Sequence, residues 1–118
     1  MAMVETVIPI LRVEDAAASR RYYVETLGFS VDWEADGAIS VSRDGKSIML
    51  IEGDQGQRGT WVWIGVDDAD AFFAEFSAKG ARVGNPPRNF PWAYEFGVED
   101  PDGHVLRFGS DPKPGVGA

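Results

Sequence analysis

At 118 residues, 44% hydrophobic and 25% charged, the chain has the composition of one globular domain, long enough to bury roughly 65% of the surface its unfolded form exposes. A formal charge of −8 opposes nucleic acid and anionic membrane surfaces as partners, because both demand clustered Lys and Arg, and no apolar run reaches the length of a membrane span. The absence of cysteine excludes disulfides, thiolate metal sites and cysteine nucleophiles together, and the first 13 residues lack the basic start and long apolar middle of a signal peptide, so a cytoplasmic protein is expected.

In chain order, residues 6–13 form a nearly unbroken apolar run that predicts a buried strand, with Pro9 marking an edge or a crossing point. A helix follows. Asp15 caps its first turn, Ala16, Ser19, Tyr23 and Leu27 recur at spacings of three and four, and Gly28 supplies the left-handed stop. Three strands are predicted next, at 29–35, 38–42 and 47–52, separated by the hairpin dipeptides Asp36-Gly37 and Asp44-Gly45. After a polar linker at 53–59 the order begins again with a strand at 60–66. Asp68 caps a second helix whose Ala69, Phe72, Phe73 and Phe76 make an apolar stripe, and Gly80 ends it. A short strand at 81–84, a loop carrying Pro86, Pro87 and Pro91, and strands at 94–99 and 105–109 complete the chain, the last two joined at Asp102-Gly103.

The two halves repeat each other. Val13-Glu14-Asp15-Ala16 returns as Val66-Asp67-Asp68-Ala69 at an offset of 53, and Arg43-Asp44-Gly45 returns as Pro101-Asp102-Gly103 at an offset of 58. The fold class is therefore α+β, with two tandem βαβββ modules of one helix each and mostly antiparallel strands. The whole of 1–118 is read as one domain: module one about 4–52, linker 53–59, module two about 60–109 and a flexible tail at 110–118.

The residues that carry a family likeness are Ile8-Pro9-Ile10-Leu11-Arg12-Val13, the helix end from Tyr22-Tyr23 to Leu27-Gly28-Phe29, and Asp100-Pro101-Asp102-Gly103-His104. Over nearly the whole chain these resemble the glyoxalase, bleomycin-resistance and extradiol-dioxygenase (vicinal oxygen chelate) superfamily. Trp61-Val62-Trp63-Ile64, and Pro91-Trp92 running into Glu95-Phe96, are similar to the bleomycin-resistance branch in particular. The resemblance implies that the two modules form a concave, mostly antiparallel sheet with one helix per module, usually completed in a homodimer, with an arm near the first-strand proline crossing to the partner.

It also implies positions for a metal. Metal-dependent members place His or Glu on the first and last strands of each module, which carries here to Ile8, Met49, Trp61 and Arg107. None of these offers the imidazole, thiolate or carboxylate that a divalent cation requires, so no metal or other cofactor is expected. The single histidine, His104, follows a glycine in a turn and is a poor candidate base. Glu95, on a strand beside aromatic residues, is the one carboxylate singled out, since burial there would favour its protonated form.

Alternation along the strand at 60–66 puts Trp61, Trp63 and Gly65 on one face, which the ligand positions identify as the concave one. Trp33 and Trp92 bring the candidate lining tryptophans to four, although Trp63 reads equally as core. Glu34, Asp36, Glu52 and Asp54 follow or close the same strands and are candidates to ring the mouth, which would suit a cationic aromatic ligand. Arg107 dissents: it either forks onto an anionic ligand or is neutralised by Glu95.

The ligand-binding set is thus Trp33, Trp61, Trp63, Trp92, Met49, Arg107 and Glu95, with no catalytic residue assigned. Metal-independent binding and sequestration of a hydrophobic or cationic small molecule is favoured over catalysis. The bleomycin-type antibiotics, with bithiazole rings and a positively charged tail, are the leading candidate. A lyase or isomerase of the same superfamily with an atypical or absent metal site is the alternative, and a protein-binding role for exposed tryptophans stays open.

Overall fold

A computed structural model describes residues 2–114. The chain divides into two compact units, Met1–Arg58 and Gly59–Ala118. Each carries its own sheet and its own helix.

In the first unit the strands are β1 (Ile10–Val13), β2 (Ser30–Ala35), β3 (Ala38–Arg43) and β4 (Lys46–Glu52), in the spatial order β1-β4-β3-β2. β1 lies parallel to β4 with Ile10 opposite Met49, and the other two pairings are antiparallel. The β1–β2 connection is helix α1 (Ala16–Arg21), which Asp15 caps by accepting from the backbone N–H groups of Ala17 and Ala18. The helix widens into a π-helical turn, Tyr22–Thr26, closed by Leu27 N–H donating to the Tyr22 carbonyl. This turn buries Tyr23 and Leu27 together with Leu11, Val13, Ile39, Val41, Ile48 and Leu50, the alternate residues of β1, β3 and β4. Asp44 and Gly45 both take positive φ, 52° and 76°, as a two-residue hairpin with matching twist requires.

The predicted first strand is cut short. Residues 2–9 have no regular secondary structure, and Met3, Val4 and Val7 are about four-fifths exposed, at 80%, 79% and 84%. The reason is local: Pro9 has no N–H to extend the ladder, so it contributes only its carbonyl, which accepts from Met49 N–H at 3.0 Å.

In the second unit β5 (Trp61–Gly65) and β9 (Val105–Ser110) are parallel, and β8 (Tyr94–Glu99) joins β9 antiparallel. Two short strands, β6 (Arg82–Val83) and β7 (Arg88–Asn89), pair with successive parts of β8. Helix α2 (Ala69–Ala78), capped by the Asp68 carboxylate on Ala71 N–H, lays Phe72, Phe73 and Phe76 on Phe96 and Phe108, with ring centroids 5.0–6.2 Å apart. That aromatic cluster fixes which residues of the sheet face the helix and which face away.

The Asp100–His104 motif is a structural knot. Asp100 is fully buried and its Oδ1 accepts from the N–H groups of Asp102 and His104, holding the β8–β9 turn. His104 is equally buried, and its Nδ1 accepts Thr60 N–H at 3.0 Å, tying the start of β5 to the same turn. The histidine is thereby committed to the fold. Of the tail expected at 110–118, Ser110 closes β9 and residues 115–118 lie outside the described ones.

Candidate ligand-binding site

On the face of the second sheet away from α2, the registers Trp61↔Val105, Trp63↔Arg107 and Gly65↔Gly109 set β5 beside β9, and Gly97↔Arg107 and Glu95↔Gly109 set β9 beside β8. Arg88 of β7 stands opposite Glu95. A groove of about 400 Å³ opens here, lined by Trp61, Arg88, Phe90, Glu95, Gly97 and Arg107 among others.

Glu95 organises it. Its side chain is only 3% exposed, Oε2 accepts from Arg107 Nε at 2.6 Å, and Oε1 accepts from Trp92 Nε1. With a donor on each oxygen, Glu95 serves as an anchor for its two neighbours, and the base role weighed from the sequence loses its support. The Arg107 guanidinium is held 5.8 Å from the Trp61 ring and 5.9 Å from the Trp92 ring. Of the two readings of Arg107, internal pairing with Glu95 is observed.

Trp92 sits in the tight turn that joins β7 to β8, closed by Phe90 N–H on the Ala93 carbonyl, and its indole stacks on Phe90 at 5.1 Å and 14°. The Arg88 guanidinium lies over the same Phe90 ring, 4.8 Å from its centroid. Neither Arg88 nor Phe90 was singled out from the sequence, because a two-residue strand between prolines leaves no periodicity to read.

Trp63 is 52% exposed and so is not core. Its indole lies over glycine backbone: a Cβ on Gly109 would come within 2.7 Å of the ring, and one on Gly65 within 3.1 Å. One ring face is covered by the sheet.

In the first unit, a bulge between Val31 and Trp33 turns both Asp32 and Trp33 to the side away from α1, where Trp33 faces Ser40 and Ser40 faces Met49. Trp33 is 44% exposed and Met49 half-buried. Asp32 accepts from the hydroxyls of Ser42 at 2.6 Å, Ser40 at 2.9 Å and Ser47 at 3.2 Å. These donors, Ser42 foremost, hold its carboxyl below the ordinary value of 3.8. Asp32 went unnoticed in the sequence, although Ser40 and Ser42, two apart on a buried strand, are the signal that one face of β3 is polar.

The acidic mouth expected from Glu34 and Glu52 is not formed. Glu34 pairs with Arg20 of α1 at 2.5 Å, and Glu52 Oε2 accepts Ala16 N–H at 2.8 Å, so both secure the helix. Asp36 and Asp54 are exposed in a turn and a loop.

The family model of the Glyoxalase/Bleomycin resistance protein/Dioxygenase superfamily matches residues 3–108. The chain belongs to this superfamily. No curated protein matches the sequence significantly. Among solved structures with the superfamily's fold, a bleomycin-binding protein of Streptomyces verticillus in complex with copper(II)-bleomycin is 24% identical, with a TM-score of 0.82 over 96% of this chain and 100% of that one. TnmS3, an antibiotic-binding protein of Streptomyces sp. CB03234, is 26% identical with a TM-score of 0.77, covering 96% and 99%. A bleomycin resistance determinant encoded on the transposon Tn5 is 19% identical with a TM-score of 0.80, covering 92% and 98%.

The superfamily's metal positions carry here to Ile8, Met49, Trp61 and Arg107, and this donor set does not fit a divalent cation. At one of these positions Arg107 presents a guanidinium, 5.8 Å from the Trp61 ring.

Proposed function

We propose that this chain binds and sequesters a flat, hydrophobic small molecule reversibly, without a metal and without breaking a bond in it. One observation carries the reading: all four tryptophans of the chain, Trp33, Trp61, Trp63 and Trp92, are exposed, at 44%, 65%, 52% and 60%. Indoles are ordinarily among the most buried side chains by area, and exposed aromatic surface of this kind marks a place where something docks. The similarity to bleomycin-binding and antibiotic-binding proteins makes a bleomycin-type antibiotic the first candidate, its cationic tail suited to the acidic Asp32 beside Trp33. Cytoplasmic antibiotic resistance by a homodimer, joined in part through the exposed residues around Val7 and Ile8, belongs to the same proposal.

The test is calorimetric titration of the purified protein with metal-free bleomycin, followed in parallel by tryptophan fluorescence. Saturable binding near one ligand per chain with quenching is expected. Absence of both heat and quenching removes the antibiotic from the reading. Sedimentation measured alongside is expected to give the mass of a dimer, and a monomer at all concentrations would remove that part.

A further inference from the structure

We propose that the groove of the second unit takes an anionic, planar aromatic group, a carboxylate carried on a conjugated ring system. This rests on the sequestration reading and narrows the ligand that this groove accepts. The chain as a whole carries −8, yet the groove is lined by two arginines and a single carboxylate. The carboxylate is spent. Glu95 faces Arg88 across the β7–β8 ladder, but its two oxygens already hold Arg107 Nε and Trp92 Nε1. Arg88 therefore has no carboxylate partner among the described residues and rests only on the Phe90 ring. Arg107 uses Nε alone, so both its terminal NH2 groups remain available.

Two guanidinium groups with open donors, positioned by a ring and by a buried carboxylate, form a receptor for oxygen anions. The shape supplies the rest of the specificity. Across the sheet, Trp61 on β5 and Arg88 on β7 are three strand spacings apart, about 14 Å in the hydrogen-bonding direction. Their levels on β8, Glu99 and Glu95, set them a further four residues, about 13 Å, apart along the strands, with Val105 and the side-chain-free Gly97 in the groove between them. A ring system lying on Gly97 has the Trp61 indole and the Phe90 ring among the walls of the same groove, and its carboxylate is directed to the arginines that line it. The volume of about 400 Å³ accommodates two or three fused rings. A cationic group would meet both guanidinium groups and is disfavoured here, whereas the Asp32 face of the first unit carries no such penalty.

The experiment compares 2-naphthoate, 2-naphthamide and 2-naphthylmethylammonium, which share a ring and differ in charge, by calorimetry on the full chain and on Arg88→Gln. Arg88 is exposed and outside the core, so the variant is expected to keep its melting temperature. Naphthoate is expected to bind about tenfold more tightly than the amide, the ammonium weakest of the three, with Arg88→Gln removing most of that preference while leaving the amide's affinity unchanged. A second variant, Arg107→Lys, keeps the charge beside Glu95 but loses the fork, and is expected to weaken naphthoate alone. Equal affinities, or tightest binding of the ammonium, overturn the anion site and leave sequestration standing. A naphthoate preference untouched by both substitutions overturns the assignment to this groove. If no naphthyl compound binds while bleomycin does, the anion site falls alone; if neither binds, the anion site and the antibiotic both fall.

Discussion

The indole of Trp63 rests on Gly109, so closely that a single methyl group at Gly109 would stand 2.7 Å from the ring. No positive φ restricts Gly109, so the glycine is there for the approach and not for its backbone freedom. Gly109→Ala is therefore expected to push the exposed indole off the sheet at little cost to folding, about 1 kcal/mol, the order of one lost ring contact. Tryptophan fluorescence should shift to the red, and any ligand that stacks on Trp63 should lose affinity. A cooperative loss of stability by several kcal/mol in urea denaturation would mean that Trp63 is part of the core after all.

Glu95→Gln tests the anchor. The substitution leaves the shape but replaces one acceptor oxygen with an NH2 group that must face either the Trp92 indole N–H or the Arg107 guanidinium. A buried pair broken from one side costs about 3–5 kcal/mol, reduced here to about 2 kcal/mol because Arg107 is 31% exposed and water can reach it. Urea denaturation should read that loss, and an unchanged midpoint would show that Glu95 does not hold its neighbours.

Much of this fold was legible because its parts are local. Asp15, Asp68 and Gly28 mark helix ends by their own chemistry, Asp44-Gly45 dictates a hairpin, and Tyr94–Glu99 matches its predicted strand to the residue. Trp61 and Trp63 fell on one open face by simple alternation. What stayed hidden depends on partners distant in sequence. The bulge at Val31/Trp33 that swings Asp32 to the serine face leaves no mark on periodicity, and β7, pinned by pairing to β8, is too short to show one. Glu34 and Glu52 looked like a free acidic rim because nothing in a strand's own sequence says that Arg20 and the first amide of α1 will claim them.

Asp70 in the first turn of α2 accepts from Tyr94 Oη at 2.8 Å and pairs with Lys113 Nζ, while the Lys113 backbone exchanges two hydrogen bonds with the Asn89 side chain. Lys113, more than Tyr94, holds the Asp70 carboxyl below 3.8; Asp70 in turn raises Tyr94 above 10.0 and Lys113 above 10.5. A lowered acid stabilises above its unfolded value and a raised group below its own, so this clasp contributes fully between about pH 3.8 and 10.0 and weakens on either side. Asp70→Asn is expected to return the Tyr94 titration towards 10.0, read as tyrosinate absorbance. An unmoved titration would show that the clasp does not persist in solution.

Asp32 makes the first unit testable by acid. Because three serine hydroxyls favour its charged form, the folded carboxyl titrates below the unfolded one, and the stability it lends is present above pH 3.8 and is lost as the pH falls through the lowered folded value. Asp32→Asn should therefore be less stable than the wild type at neutral pH, with the gap closing as the pH falls below 3.8 and through the lowered folded value. Urea midpoints across that range measure it, and a gap that does not change with pH would assign the difference to packing. The same variant should weaken any cationic ligand seated beside Trp33 while leaving 2-naphthoate binding in the second unit unchanged. Loss of both together would mean that the two faces do not bind independently.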